Sequence, residues 1–352
     1  MDSPPLHAVI MAGGRGTRFW PASRVSKAKQ FLSITGGDSL LAQSRARLEG
    51  LVDDQNCWVV TGADQVEQVA QCLPQLPREN ILAEPMGRNT APCCAWAALE
   101  IEKRAPDAIQ LVLPADHVIE PVESFRQSCR VAARAAEEPD VLVTLGVKPT
   151  FPATGYGYIQ CGEAVNSPGP NALRRVECFV EKPDEARAKQ FLEAGSFLWN
   201  AGIFVWSTKS ILNAFEEYAP EILHPLKQAG AQAAYATLPS APIDIAILEK
   251  ATSVRVLPID YSWNDVGSWS ALPEILEADE HGHVLGGDAQ LVQVDSKNCI
   301  AYGENAETIA LIGVEDLIVV RSGNATLICP RDRAQDVRKI VDKLKQDQPD
   351  RI

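Results

Sequence analysis

Residues 9–31 read VIMAGGRGTRFWPASRVSKAKQF, and the reading of the whole chain turns on them. An apolar run ends at Met11, and the chain then breaks into Gly13, Gly14 and Gly16. From Arg15 to Lys29 there are five basic residues, Arg15, Arg18, Arg24, Lys27 and Lys29, and no acidic one. Glycines let backbone N–H groups approach an anion closely, because no Cβ intervenes and positive φ is allowed. Consecutive N–H groups in such a loop form an anion-binding concavity. The stretch therefore suits a ligand with several negative charges, most simply a nucleotide triphosphate. The dinucleotide fingerprint G-x-G-x-x-G fails because Phe19 stands at the third place after Gly16, and no G-x-x-x-x-G-K-[ST] loop is present. From the loop alone, a glycine turn followed by a solvated basic face is the plain alternative.

The run before the loop is the first of several β-branched runs, at 7–11, 57–61, 80–83, 109–113 and 141–147. Helical patterns lie between them near 39–50, 63–73, 90–104 and 122–137. Apolar strands separated by helices of this length predict an α/β fold with a doubly wound, mixed but mostly parallel sheet. Ligands of such sheets bind beyond the C-terminal strand ends, which is where the glycine loop sits. From about 150 the rhythm changes. Residues 153–158 and 175–180 predict hairpin or mixed-sheet strands around a Pro/Gly loop at 166–171. A strand at 197–206, helices near 208–218 and 220–228, and a strand at 254–259 follow. Past 284 come regularly spaced short strands at 290–294, 299–302, 308–312, 317–320 and 326–329, then an amphipathic helix over 332–346. The expected division is a catalytic domain over 1–283 and a small β-rich segment with a terminal helix over 284–352. The segment's expected role is structural or in contact between copies of the chain.

The totals narrow the class. The chain has 352 residues, 46% hydrophobic and 22% charged, as in an ordinary soluble globular protein of more than one folding unit. No apolar run approaches the roughly 18 residues of a membrane span. The N-terminus, MDSPPLHAV, lacks the basic region of a signal peptide, so a cytoplasmic location is expected. Nine cysteines with no C-x-x-C pair point to buried reduced thiols, and the five histidines form no ligand cluster. The net charge of −13 argues against nucleic acid as a partner. It also means that local cations and a metal ion must draw a polyanion to an acidic protein.

Several residues are of types that could carry chemistry. Asp116 in LVLPADHVI and Asp265 in YSWNDVGSW each follow an apolar strand. Each could be a helix N-cap. Both could instead face the loop's crevice, where two carboxylates, phosphate oxygens and water suit Mg²⁺. Lys182 in CFVEKP could reach the crevice or be solvated, and Glu181 beside it could accept from hydroxyls or face water. Asn200 and Gly202 form a polar pair in WNAGIFVW, either buried structure or a reader of hydroxyls. Glu84 in AEPMGRNTAP ends a strand, and its carboxylate could accept both the N1–H and the 2-amino group of guanine. Asn89 and Thr90 could be caps of the next helix.

Taken together, GGRGTRFWPASR, KQF, EPMGRNTAP, LPADHVI, FVEKP, WNAGIFVW, DIAILEK and WNDVGSW, in this order and spacing, resemble the sugar nucleotidyltransferase superfamily. GRNTAP and WNDVGSW are similar to its guanylyl branch, the mannose-1-phosphate guanylyltransferases. The resemblance covers essentially the whole chain, most densely 7–270. It implies a Rossmann-like nucleotide-binding domain and a small C-terminal left-handed β-helix-like domain. It implies transfer of GMP from GTP to mannose 1-phosphate, with Asp116 and Asp265 holding Mg²⁺. Arg18 and Lys29 would neutralise the triphosphate, and Lys182 would hold the sugar phosphate. Glu181, Asn200, Gly202 and the Gly155 region would face the sugar, and Glu84 the base. Ala12, Gly13, Gly14, Gly16, Thr17, Gly87, Asn89 and Thr90 would complete the nucleotide side, with Asp116. A homodimer in the cytoplasm, with no membrane partner, is expected.

There are departures from the pattern. Ala28 stands where the family usually has Pro, which could shift Lys29, and Phe19 replaces the common Leu. The cupin-like isomerase domain of longer, two-activity relatives is not part of the sequence, so isomerase activity is not expected. Two other readings compete: a nucleotidyltransferase for another sugar 1-phosphate, such as a heptose or glucose, and a non-catalytic nucleotide-sensing relative.

Overall fold

The computed structural model describes residues 4–14, 16–165, 172–348 and 351–352, so Arg15 and the loop expected at 166–171 lie outside the described residues. The strands in chain order are β1 (Leu6–Ala12), β2 (Cys57–Gly62), β3 (Ile81–Glu84), β4 (Ile109–Pro114), β5 (Val118–Glu120), β6 (Leu142–Val147), β7 (Tyr158–Ala164), β8 (Arg174–Val180), β9 (Phe197–Ser207), β10 (Val254–Ile259) and β11 (Ser262–Asn264). They are followed by β12 (Val284–Gly287), β13 (Gln290–Val294), β14 (Ile300–Gly303), β15 (Thr308–Ile312), β16 (Leu317–Ser322) and β17 (Ala325–Pro330). The chain divides into two compact units. One holds residues 1–13, 47–114 and 119–263, and the other 14–46, 115–118 and 264–352.

In the first unit, nine strands form one sheet in the order β3-β2-β1-β4-β9-β6-β10-β8-β7. Seven point the same way. Only β9, antiparallel to β4 and β6, and β8, antiparallel to β10, are reversed. The runs of Val, Ile and Leu predicted this, because a sheet covered on both faces needs apolar residues at every position. β1 and β4 are parallel neighbours with Met11 opposite Pro114, so the chain leaves both strands at one sheet edge. Glu84 ends β3 at that same edge, opposite Gly62 of β2. One face packs under the helices Thr90–Glu102, Thr208–Tyr218 and Pro220–Ala234 around buried Phe204, Trp206, Phe215 and Tyr235. The helix at Thr208 starts where Ser207 Oγ caps Ser210 N at 3.0 Å, and the run from Pro220 breaks at Gly230, whose φ is 71°.

The strand expected over 153–158 begins only at Tyr158. Gly155 and Gly157 offer no side chains for a sheet face to pack, and the chain turns there instead.

In the second unit, β12, β14 and β16 stack in parallel, with Val284 opposite Ile300 and Ile300 opposite Ile318. β13 and β15 stack beside them, Gln290 opposite Thr308, and β17 closes antiparallel on β16. This is a β-helix-like arrangement. β12 was not foreseen, because Gly286 and Gly287 blur its apolar pattern. Its glycines are required by closeness: a Cβ on Gly287 would lie 2.2 Å from the carbonyl oxygen of Gly303. The terminal helix Val337–Asp347 starts later than expected, after a 3₁₀ turn over Arg331–Asp336. Its Val337 and Val341 share one core with Phe19, Trp20, Leu32, Trp269, Ile300 and Tyr302. The segment after the glycine loop therefore folds onto the C-terminal strands. Trp269 is the centre of this core, with ring centroids 4.8 Å from both Phe19 and Tyr302. Such aromatic pairs contribute about 0.5–1.5 kcal/mol beyond their area burial. Among the described residues, no helix is long and apolar enough to cross a membrane.

Candidate active site

The glycine loop leaves β1 at Ala12, whose carbonyl accepts from the Thr61 hydroxyl at 3.0 Å. Gly13 and Gly14 are exposed. Gly16 has φ 59°, and a Cβ there would fall 2.3 Å from Lys29 Cβ. Only glycine fits this backbone and this contact. The carbonyl of Gly16 then accepts from Phe19 N at 2.9 Å, closing the short 3₁₀ turn Thr17–Phe19. Arg18 is exposed on that turn, and its Nη1 lies 3.4 Å from Gln335 Oε1.

Lys29 is buried, and its ammonium is the hub of the second unit's polar cluster. Nζ donates to Asp116 Oδ2 at 2.8 Å and to the backbone oxygen of Asp265 at 2.7 Å. It also lies 5.5 Å from the centroid of the Phe19 ring, so the aromatic departure at 19 supplies a cation–π floor. The alanine at 28 does not disturb this arrangement. Its φ is −69°, the angle a proline ring would impose.

Neither aspartate is a helix cap. Asp116 leads into β5, and the 3₁₀ turn after Asp265 is flanked by Ser268. Burial alone would raise the Asp116 carboxyl. The charges of Lys29 and His117, with the Lys29 hydrogen bond, hold it below its ordinary value instead. Asp265 sits on a strained turn. The next residue, Val266, is buried and β-branched with φ 47°, a backbone state that costs on the order of 1–3 kcal/mol. Asn264 secures it, accepting from Val266 N at 2.6 Å while its amide donates to Glu274. A Cβ on Gly267 would lie 3.2 Å from Asp265 Oδ1, tighter than ordinary contact.

Among the residues expected to face the nucleotide, Glu84 lies in the first unit at the end of β3. Its carboxylate is buried and accepts from Tyr235 Oη at 3.0 Å. Burial pushes it up to about 7, against the lowering effect of that bond. A Cβ on Gly13 would lie 3.3 Å from Glu84 Oε2, so the first loop glycine stands directly beside it. Gly87 is exposed with open space around it. Asn89 is the helix cap, its Oδ1 accepting from Thr90 N at 2.9 Å. Thr90 Oγ1 accepts from Ile243 N at 2.8 Å.

Of the residues expected to face the sugar, Asn200 and Gly202 lie at a bulge. The β6–β9 register shifts between Thr144 and Gly146, opposite Phe204 and Asn200, and Gly202 between them has φ 67°. Bulges re-aim side chains, and this one turns Asn200 onto Thr144. Asn200 Oδ1 accepts from Thr144 Oγ1 at 2.8 Å and from Gly202 N at 3.2 Å, while Nδ2 donates to Asp244 Oδ1 at 2.8 Å. Asn200 is thus a structural hydrogen-bonder with one amide hydrogen still to give. Lys182, at φ 46° and exposed, pairs with Glu181. Gly155 faces open space, whereas a Cβ on Gly157 would meet Glu181 Oε2 at 2.7 Å.

Asp244, Asn264, Gly157 and Tyr235 were not singled out from sequence. DIAILEK and WNDVGSW contain the first two, but neither motif says which of its residues bonds to what.

Lys29 brings the Asp116 carboxylate and the Asp265 backbone carbonyl to one ammonium, and hard oxygen donors of this kind are the type a divalent cation takes. Lys29 keeps the first carboxylate ionised, as a ligand must be. Among the described residues, no group of three or more His, Cys, Asp or Glu is placed to hold a metal ion.

The chain is similar to known proteins over nearly its whole length. The nucleotidyl transferase family matches residues 7–282, and the mannoseP isomerase/GMP-like β-helix domain matches residues 289–344. A mannose-1-phosphate guanylyltransferase of Klebsiella pneumoniae is 41% identical over 97% of this chain and 74% of its own length. The alginate biosynthesis protein AlgA of Pseudomonas aeruginosa is 38% identical over 96% of this chain and 71% of its own. A crystal structure from Thermus thermophilus, described as a mannose-1-phosphate geranyltransferase, superposes with a TM-score of 0.87. It is 36% identical and covers 97% of this chain and 99% of its own.

Proposed function

The chain belongs to the nucleotidyl transferase family and is an enzyme of that class; on that premise we propose that it transfers GMP from GTP to α-D-mannose 1-phosphate. A phosphate oxygen of mannose 1-phosphate attacks the α-phosphorus of GTP in line. The bond from that phosphorus to the β-phosphate's bridging oxygen breaks, and pyrophosphate leaves with its electron pair. The substrate brings its own nucleophile, so the protein's task is alignment and charge neutralisation. Asp116 and Asp265 would hold Mg²⁺, which would supply positive charge to the phosphates.

The observation that carries this reading is the Lys29 ammonium joining Asp116 to the Asp265 turn. Two of its three N–H bonds hold the Asp116 carboxylate and the Asp265 backbone carbonyl in place, and the third is left for a triphosphate oxygen. Arg18 and the N–H groups of Gly13, Gly14, Gly16 and Thr17, next to Ala12, serve the same triphosphate. Glu84 accepts from guanine, beside Gly87, Asn89 and Thr90. Lys182 holds the sugar phosphate, and Glu181, Asn200, Gly202 and Gly155 face the sugar.

We assign catalysis to 1–283 and a supporting role to 284–352, in the cytoplasm. Val292, Val294 and Ile312 are exposed on paired β13 and β15, which supports a homodimer through that face. Light scattering of Ile312→Glu tests it: a monomer supports this surface, and an unchanged dimer excludes it. Pyrophosphate release by Asp265→Ala tests the metal assignment. Loss of Mg²⁺-dependent turnover with an unchanged melting temperature supports it, and near-normal rates remove Asp265 from the site.

A further inference from the structure

The segment 241–249 touches both halves of the first unit's polar machinery. On the nucleotide side, Ala241 exchanges backbone bonds with the GRNTAP loop, donating to Arg88 O at 3.3 Å and accepting from Ala91 N at 3.0 Å. Ile243 N donates to Thr90 Oγ1 at 2.8 Å. On the sugar side, the helical turn Asp244–Leu248 and the residue after it reach two separate segments. Asp244 Oδ1 takes the Asn200 amide at 2.8 Å, and Glu249 Oε1 takes the backbone N–H of Glu181 at 3.2 Å.

Resting on the function proposed above, we infer that Asp244 is a positioning residue for the sugar: it fixes the Asn200 side chain so that the second amide hydrogen meets a sugar hydroxyl. The Asn200 oxygen already accepts from Thr144 and Gly202, so a flipped amide would set its nitrogen against the Gly202 N–H. That leaves the nitrogen end to be aimed, and Asp244 is what aims it. An aliphatic residue would be the cheaper occupant of this buried place. Burial first, then the neighbouring Glu181, raises the Asp244 carboxyl to about 7, with Glu249 adding to the rise and Lys182 opposing it. Keeping an acid here is costly, and the bond to Asn200 is what the acid provides.

The test compares Asp244→Leu, Asp244→Asn and Thr144→Val by steady-state kinetics with each substrate varied in turn. Asp244→Leu is expected to raise KM for mannose 1-phosphate about tenfold or more while KM for GTP stays within about twofold. Asp244→Asn keeps an acceptor oxygen for the same amide and should restore most of the loss. If Asp244→Leu does not fold, Thr144→Val, which removes the other anchor of Asn200, should show the same split. Parallel changes in both KM values, or an unchanged KM for the sugar phosphate, would overturn the inference. Turnover by the parent protein of a different sugar 1-phosphate alone would sink the mannose assignment, and the Asp244 comparison would then be read on that sugar. Calorimetry showing that the parent binds no sugar phosphate would overturn both.

Discussion

Lys29 Nζ lies 2.8 Å from Asp116 Oδ2, joining two residues 87 positions apart in the chain. The pair carries both charge and order, since the same ammonium also holds the Asp265 carbonyl. Lys29→Met should lower turnover by about 10²–10³, the cost of losing one preorganised charged donor. Lys29→Arg should not restore it, because a planar fork cannot replace a point donor among these partners. The Asp116 carboxyl should rise toward or above its ordinary value in Lys29→Met, which NMR titration of that side chain would read. An Asp116 titration unmoved by the loss of Lys29 would show that the pair is incidental.

Gly16→Ala combines positive φ with a Cβ 2.3 Å from Lys29 Cβ. The backbone term alone costs roughly 1–2 kcal/mol, and the clash pushes on the lysine that holds Asp116. Thermal melts should show a lower midpoint, and turnover should fall further than stability does. Wild-type turnover in a well-folded Gly16→Ala would show that the loop has slack.

Ala28→Pro makes the opposite case. At φ −69° the backbone already matches proline. The ring should stabilise the fold by about 0.4–1 kcal/mol through the unfolded chain, with turnover unchanged. A destabilised variant would mean that the ring itself finds no room beside Lys29.

Glu84 gives a pH signature. Burial raises its carboxyl from the ordinary value to about 7. Below that pH the free protein holds it protonated, with one oxygen fewer to accept from guanine. GTP affinity should therefore rise with pH through 7 and level off above it, and Glu84→Gln should flatten the curve. The stability effect has the opposite slope. A group whose folded-state value is raised contributes stability that is present below its unfolded value and lost as pH rises through 7. Glu84→Gln should thus compare better with wild type at pH 8 than at pH 5. A flat wild-type GTP profile would remove Glu84 from the base-reading role.

Much of this was legible in sequence, and the exceptions have physical reasons. The parallel strands show because burial on both faces demands unbroken apolar runs, as in Ile109–Pro114. Gly16 and the two aspartates show because each stands where a strand gives way to a loop. The Asn200 bulge does not show, since Gly202 reads equally well as an ordinary weak point in a strand. Nor does strain at Val266, which exists only because Asn264 and a buried core hold it. The core that Phe19 shares with Trp269 and Tyr302 was hidden because pattern rules act within one window, and Phe19 lies hundreds of positions before the other two.

The most direct test of the central claim is pyrophosphate release measured over a panel of nucleoside triphosphates and sugar 1-phosphates, with Mg²⁺ and with chelator. Turnover with GTP and mannose 1-phosphate should lie well above every other pair and be abolished by chelation. Preference for another pair, or full turnover in chelator, would contradict the claim.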